Sequence, residues 1–168
     1  MNVLIAVASK HGATMEIGEV IANSLGARGL DVTLGRVEDV ASLDGIDAVV
    51  LGSSVYAGHW RRAARVFVDE HEAELRALPT WLFSSGPIGD PPKPMENPAE
   101  AISVSQRLGS RGHRLFAGKI DNDELGIAEK ALIKLVRAPD GDFRPWSDIS
   151  LWADSIASAL LGPATATA

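Results

Sequence analysis

The sequence contains no cysteine, which excludes disulfides, thiolate zinc sites, iron–sulfur clusters and cysteine nucleophiles. It also lacks an apolar run long enough to cross a bilayer, and its first residues show neither the basic segment nor the apolar core of a signal peptide. We therefore expect a soluble, cytoplasmic protein. The formal net charge of −6 argues against nucleic acid as a partner, because proteins that bind it carry a basic footprint.

The 168 residues are 46% hydrophobic and 23% charged, which suits one globular domain. We assign residues 1–162 to this domain and 163–168 to a flexible tail. Short apolar runs predict buried strands, and they alternate with patterns of helical period. This alternation predicts a doubly wound α/β protein with a parallel sheet. The predicted strands are 3–8, 30–37, 47–53, 80–85 and 114–120. The predicted helices are 13–25, 60–78, 99–108 and 149–161, with one more at 125–136 inside an insert at 122–146.

The loop after the first strand has the character of an anion site. Backbone N–H groups at the start of a helix form a concave positive surface, and the helix dipole adds to it. Gly12 lets the backbone approach a phosphate closely, and Ser9 and Thr14 supply hydroxyl groups. The loop lacks the P-loop and dinucleotide patterns. A compact site with hydroxyl groups fits a terminal monophosphate better than a pyrophosphate. The alternative is that Ser9 and Thr14 only cap the helix. The loop consists of Ser9, Lys10, His11, Gly12, Ala13 and Thr14.

Two further loops follow the third and fourth strands, and ligands of open parallel sheets bind beyond the carboxyl ends of such strands. In the second loop, the Tyr56 ring can stack on a flat heterocycle. The small residues around Tyr56 let backbone amides approach the edge of such a ring. The alternative is that the glycines and serines are ordinary turn residues. The second loop runs from Gly52 to Trp60, and its candidate cofactor-binding residues are Ser53, Ser54, Val55, Tyr56, Ala57 and Gly58. The third runs from Ser84 to Asp90, and its candidate cofactor-binding residues are Ser85, Gly86, Pro87, Ile88, Gly89 and Asp90.

The first loop matches the pattern S/T-x-x-G-x-T, and the order of strands and loops along nearly the whole chain resembles the flavodoxin family. The resemblance implies a flavodoxin-like fold, with a five-stranded parallel sheet in the order 2-1-3-4-5 inside three α/β/α layers. It implies FMN as the cofactor, with residues 9–14 at its phosphate and residues 53–58 and 85–90 around its isoalloxazine. A deazaflavin or another flat heterocycle stays an alternative.

A narrower resemblance links the chain to the menaquinone-dependent protoporphyrinogen IX dehydrogenases of this family. It rests on Gly58-His59-Trp60, on residues 116–118 and on the insert before Trp146. This branch implies a flavin-dependent oxidoreductase with a quinone or another small molecule as electron acceptor. It also implies a weak peripheral membrane contact through a basic insert, whereas the insert of this chain is charge-balanced. Pro87 and Ile88 stand where electron-carrier flavodoxins place a second aromatic residue.

The main alternative is a one-electron carrier that serves a redox protein partner. A receiver domain is a third hypothesis, but it would need acidic residues where Ala8-Ser9 and Ser53-Ser54 stand. A hydrolase is poorly supported, because no G-x-S-x-G elbow is present. In the redox hypotheses the flavin carries the chemistry, so we assign no catalytic side chain.

Several polar residues near these loops allow two interpretations. His59 either exchanges protons near the flavin edge at neutral pH or is a solvated residue at a helix start. Arg61, Arg62 and Arg65 either steer an acidic substrate or form a solvated helix face, supported by a pair between Arg65 and Asp69. The remaining histidines have no metal-ligand spacing, so we predict no metal site and expect them to be structural. They are His11, His71 and His113. The pattern assigns two tryptophans to neither core nor site, Trp60 and Trp146.

Overall fold

The computed structural model describes residues 1–86, 96–120, 126–128, 130–131 and 141–162. Its main sheet contains parallel strands in the order β2-β1-β3-β5-β6, and a short strand, β4, pairs antiparallel with the end of β3. Without that short strand, the order is the predicted 2-1-3-4-5, which is confirmed. The strands are β1 (Asn2–Ala8), β2 (Asp31–Arg36), β3 (Ala48–Tyr56), β4 (His59–Trp60), β5 (Thr80–Ser85) and β6 (Gly112–Phe116). β7 (Lys119–Ile120) and β8 (Gly141–Asp142) pair antiparallel in a separate two-stranded sheet, which we call the β7–β8 hairpin.

Helices cover both faces of this sheet, as the three-layer prediction requires. The helices are α1 (Ala13–Ala27), α2 (Arg62–Glu70), α3 (Glu72–Ala77), α4 (Ala99–Leu108) and α5 (Trp146–Leu161). Alternate residues of β1 point to opposite faces. Val3, Ile5 and Val7 belong to the apolar cluster that contains α1 and α5 side chains, whereas Leu4 and Ala6 belong to the cluster on the side of α2, α3 and α4. A 3₁₀ turn, Val37–Asp39, follows β2.

The predicted single helix over 60–78 is wrong, because two helices meet at His71 and His59–Trp60 forms a strand. Phe67 and Leu75 are eight positions apart, so both face the core whether or not the helix is interrupted. The apolar period alone therefore could not reveal the break at His71, whose backbone φ of −114° and ψ of 20° leave the helical range.

Other boundaries also differ from the predictions. The third strand continues to Tyr56, and the fifth ends at Phe116, before residues 119–120 form β7. Residues 127–128 and 130–131 are helical. Residue 126 is described and is not helical, whereas residues 125, 129 and 132–136 of the predicted helix and the tail 163–168 lie outside the described residues. Within the described ranges, the longest and most apolar helices still fall short of what a membrane crossing requires.

The Phe83 side chain leaves no room for a side chain at Gly52, its neighbour on β3. A Cβ atom built on Gly52 would lie 2.1 Å from the Phe83 ring, whereas one built on Gly35 of β2 would meet no described atom within 4 Å. We expect Gly52→Ala to lower the free energy of unfolding by about 1–3 kcal/mol, because overpacking forces the core to shift. Gly35→Ala is the matched control and should be neutral or slightly stabilising. Denaturant unfolding measures both, and equal stabilities would contradict this packing.

Candidate functional site

The strand register brings the three predicted loops to one edge of the sheet. Ala8 on β1 pairs with Ser53 on β3, and Ser53 pairs in turn with Ser84 on β5. Because these strands are parallel, the chain leaves each of them on the same side, at the carboxyl ends. Residues 9–14, 53–58 and 85–86 therefore belong to one edge. The remaining predicted residues of the third loop, Pro87, Ile88, Gly89 and Asp90, lie outside the described residues.

The first loop presents backbone rather than a side-chain cap to solvent. Gly12 occupies the N-cap position of α1 with a φ of +82°, a conformation that residues with a Cβ rarely adopt. Because the N-cap residue is a glycine, it makes no side-chain capping hydrogen bond. Ser9 is half-buried, Thr14 is buried, and Lys10 is exposed. The start of α1 thus keeps the exposed glycine backbone that an anion site needs.

The second loop is shorter than predicted, because residues 53–56 belong to strand β3. Tyr56 pairs with His59 across a two-residue turn made of Ala57 and Gly58. Both turn residues have positive φ, +49° and +82°, as a type I′ turn requires. Holding the non-glycine Ala57 there costs about 1–2 kcal/mol, which the surrounding contacts must offset. The hairpin leaves the Tyr56 side chain 46% exposed at the site edge.

Glu100 on α4 holds this hairpin in place. Its carboxylate accepts the Trp60 backbone N–H at 2.7 Å and lies 3.0 Å from His59 Nδ1. Arg65 also approaches it, at 3.5 Å. Burial raises the pKa of Glu100, but the hydrogen bonds from His59 and Trp60 and the charge of Arg65 outweigh it, so the net pKa lies below the usual range. The predicted partner of Arg65 is therefore wrong, since Asp69 pairs with Arg107 instead.

A buried chain of polar groups runs from this hairpin across β5 to β6. Trp60, which the sequence left unassigned, is 2% exposed and donates its indole N–H to Ser84 Oγ at 2.8 Å. The Ser84 hydroxyl also lies 2.8 Å from His113 Nε2. Since the indole can only donate, the chain is satisfied when the Ser84 hydroxyl donates to Nε2 of a neutral His113. The proton of that imidazole then sits on Nδ1, which is buried and has no partner among the described residues.

The third loop starts in close backbone contact with its neighbours. A Cβ built on Gly86 would lie 3.0 Å from the Cβ of Val55, and one built on Gly118 would lie 3.4 Å from the Gly86 Cα. The Gly86 N–H donates to the Phe116 carbonyl at 3.3 Å. Glycines at these positions therefore let the second and third loops and the β7–β8 hairpin meet at one point.

The sequence did not single out Arg144, which joins the β7–β8 hairpin to the first loop. Its guanidinium is buried, donates to the Ala13 carbonyl at 2.9 Å and pairs with Glu16 and Asp142. Burial lowers the pKa of Arg144, but its hydrogen bonds to Asp142 and Glu16 raise the pKa by more than burial lowers it. The net pKa therefore lies above the usual value. The signal in the sequence was a lone cation between Phe143 and the Pro-Trp pair that follows it.

Burial lowers the pKa of His113 to about 4, from a usual value of 6.5. The folded protein therefore binds fewer protons than the unfolded chain between these values, so His113 favours folding above pH 6.5 and this contribution is lost as the pH falls toward 4. We expect the His113 imidazole resonances to titrate with a midpoint near 4 by NMR. A midpoint near 6.5 would show that the imidazole is solvated and that the buried polar chain is not formed.

Comparisons with known proteins agree with this geometry. The family model described as flavodoxin domain matches residues 4–145. Protoporphyrinogen IX dehydrogenase (quinone) of Escherichia coli K12 is 27% identical over 172 aligned positions, which cover 94% of this chain and 95% of that protein.

Solved structures show the same fold at lower identity. A flavodoxin from the domain Archaea aligns with a TM-score of 0.65 and 16% identity, covering 95% of this chain and 99% of that one. The oxidised flavodoxin 1 from Bacillus cereus aligns with a TM-score of 0.64 and 12% identity, covering 94% of this chain and 98% of that one. At such identities the likeness establishes the fold alone.

Proposed function

Because the chain belongs to the flavodoxin domain family, we propose that it is a redox protein that binds FMN at the edge formed by its three loops. One observation carries the proposal: the register places the exposed start of α1 and the exposed Tyr56 ring at the same edge of the sheet. A phosphate needs the first feature and a flat ring needs the second.

The residues present fit this cofactor. The positive φ of Gly12 and the open space around it suit a backbone cradle for the phosphate, which residues 9–14 would hold. The end of β3 and the turn after it would border the isoalloxazine on one side. These residues are Ser53, Ser54, Val55, Tyr56, Ala57 and Gly58. Ser85 and Gly86 would border it on another side, and the sequence resemblance extends that assignment to residues 87–90.

The bound flavin would accept and release electrons or hydride, and this chain would position it. Tyr56 would cover a ring face and keep water from it. The small turn residues Ala57 and Gly58 would bring backbone groups to the ring edge. Glu100 would fix the hairpin through the Trp60 N–H, and no side chain is needed as an acid or base.

Stacking on Tyr56 can be tested by fluorescence titration, since an aromatic side chain in contact quenches flavin emission. We expect Tyr56→Ala to weaken FMN binding about tenfold, because aromatic stacking on a flat heterocycle contributes about 1–3 kcal/mol. Tyr56→Phe keeps the ring and should bind FMN like the wild type. Because Tyr56 is 46% exposed, both variants should fold. Equal affinities of the Ala and Phe variants would contradict the stacking.

Within this function we propose an oxidoreductase that passes electrons from a protoporphyrinogen-like substrate to a quinone. The support is the 27% identity to the Escherichia coli enzyme along nearly the full length of both chains. Arg61 and Arg62 lie next to the hairpin and offer positive charge to an acidic substrate. Turnover of protoporphyrinogen with a menaquinone analogue tests this, and a rate no higher than background would rule this activity out.

A one-electron carrier for a redox protein partner is the second candidate. The flavodoxin-like fold and the exposure of Tyr56 at the protein surface favour it, since electrons must reach a partner across that surface. Potentiometric titration distinguishes the two functions. Two well-separated one-electron steps support the carrier, and a single two-electron step supports the oxidoreductase.

A further inference from the structure

We propose that Arg144 is a positioning residue that lets the start of α1 accept a dianionic phosphate, by holding the first loop and neutralising two carboxylates beside it. The inference rests on the proposed binding of FMN and goes beyond it. It assigns a role to a residue outside the three loops. It also makes the affinity for the phosphate group, rather than for the ring, depend on that residue.

All three nitrogens of the Arg144 guanidinium have hydrogen-bond partners. Its Nε and Nη2 donate to the two carboxylate oxygens of Asp142, at 2.7 and 2.6 Å. Its Nη1 donates to the Ala13 carbonyl at 2.9 Å and lies 2.8 Å from a carboxylate oxygen of Glu16. The side chain is 2% exposed. Such a fork fixes both direction and distance, which a flexible lysine does not do.

Contacts on either side of Arg144 hold it in place. The centre of the Trp146 ring lies 4.3 Å from the guanidinium carbon, and the Phe143 N–H donates to the Gly118 carbonyl at 3.1 Å. Gly118 in turn packs against the backbone of Gly86. The same hairpin therefore contacts the first loop through Arg144 and the third loop through Gly118.

The charges around Arg144 make its role specific to the phosphate. Glu16 lies in the first turn of α1, and Asp142 is held beside it by the shared guanidinium. Carboxylates at a helix start interact favourably with the same dipole that would hold a phosphate. Arg144 compensates these carboxylates. Without Arg144, Glu16 would lose its cation and Asp142 would keep only the nearby charge of Lys119. Both carboxylates would then repel an incoming phosphate that carries a charge of about −1.5 to −2.

Riboflavin provides the readout, because it has the ring of FMN but no phosphate. We expect Arg144→Met to weaken FMN binding about tenfold or more and to change riboflavin binding less than about twofold. Arg144→Lys keeps the charge but loses the forked geometry of the guanidinium. Its FMN affinity should therefore lie between those of the wild type and Arg144→Met. Adding Glu16→Gln to Arg144→Met should recover part of the lost FMN affinity, because it removes one of the exposed charges.

Arg107→Met is the matched control. Arg107 on α4 also binds two carboxylates, Asp69 and Glu72, but it joins α4 to the chain around α2 and α3 and not to the first loop. We expect this variant to bind FMN and riboflavin like the wild type. If Arg144→Met does not fold, the comparison of Arg144→Lys with wild type for both ligands decides the question in the same way.

Isothermal or fluorescence titration of all variants with both ligands separates the outcomes. A selective loss of FMN affinity in the Arg144 variants supports the inference. Equal losses for FMN and riboflavin, or no loss, would overturn it while leaving the proposed function intact. Wild-type protein that binds neither ligand would overturn the proposed function, and this inference with it.

Discussion

The in-register pairing of the parallel strands determines where the described residues of the three candidate loops lie. Ala8, Ser53 and Ser84 are neighbours across β1, β3 and β5, so the three loops begin at one level of the sheet. The strands are buried on both faces, and a shift of one residue would exchange the side chains between two apolar cores. The packing that stabilises the sheet therefore also fixes the geometry of the site.

Two charged residues outside the loops complete this arrangement. Glu100 reaches from α4 to the Tyr56 hairpin, and Arg144 reaches from the β7–β8 hairpin to the start of α1. Each has hydrogen-bond partners that offset the cost of burying its charge. Each therefore links a loop to a second element of the fold. This arrangement suits a protein that has to hold a cofactor's ring and phosphate at a constant separation.

Alternating apolar runs predicted the strands, and the S/T-x-x-G-x-T pattern predicted the first loop, because both are local signals. The sheet order was implied by the resemblance to the flavodoxin family. The sequence could not predict the break at His71, since the apolar period continues across it. The roles of Glu100 and Arg144 were also hidden. Glu100 is 40 positions from Trp60, and Arg144 is 131 positions from Ala13. Contacts over such separations produce no periodic pattern in the sequence. Residue types alone show charge, whereas the fold decides which charge is buried.

The central claim is that one edge of the sheet forms a single FMN site. The most direct test is to record backbone amide NMR spectra of the protein while FMN is added. The account predicts that the largest shifts occur together at residues 9–14, 54–58 and 85–86, while residues 30–31, 46–48 and 80 at the opposite edge stay unchanged. Shifts centred on that opposite edge, or no shifts at saturating FMN, would contradict the account.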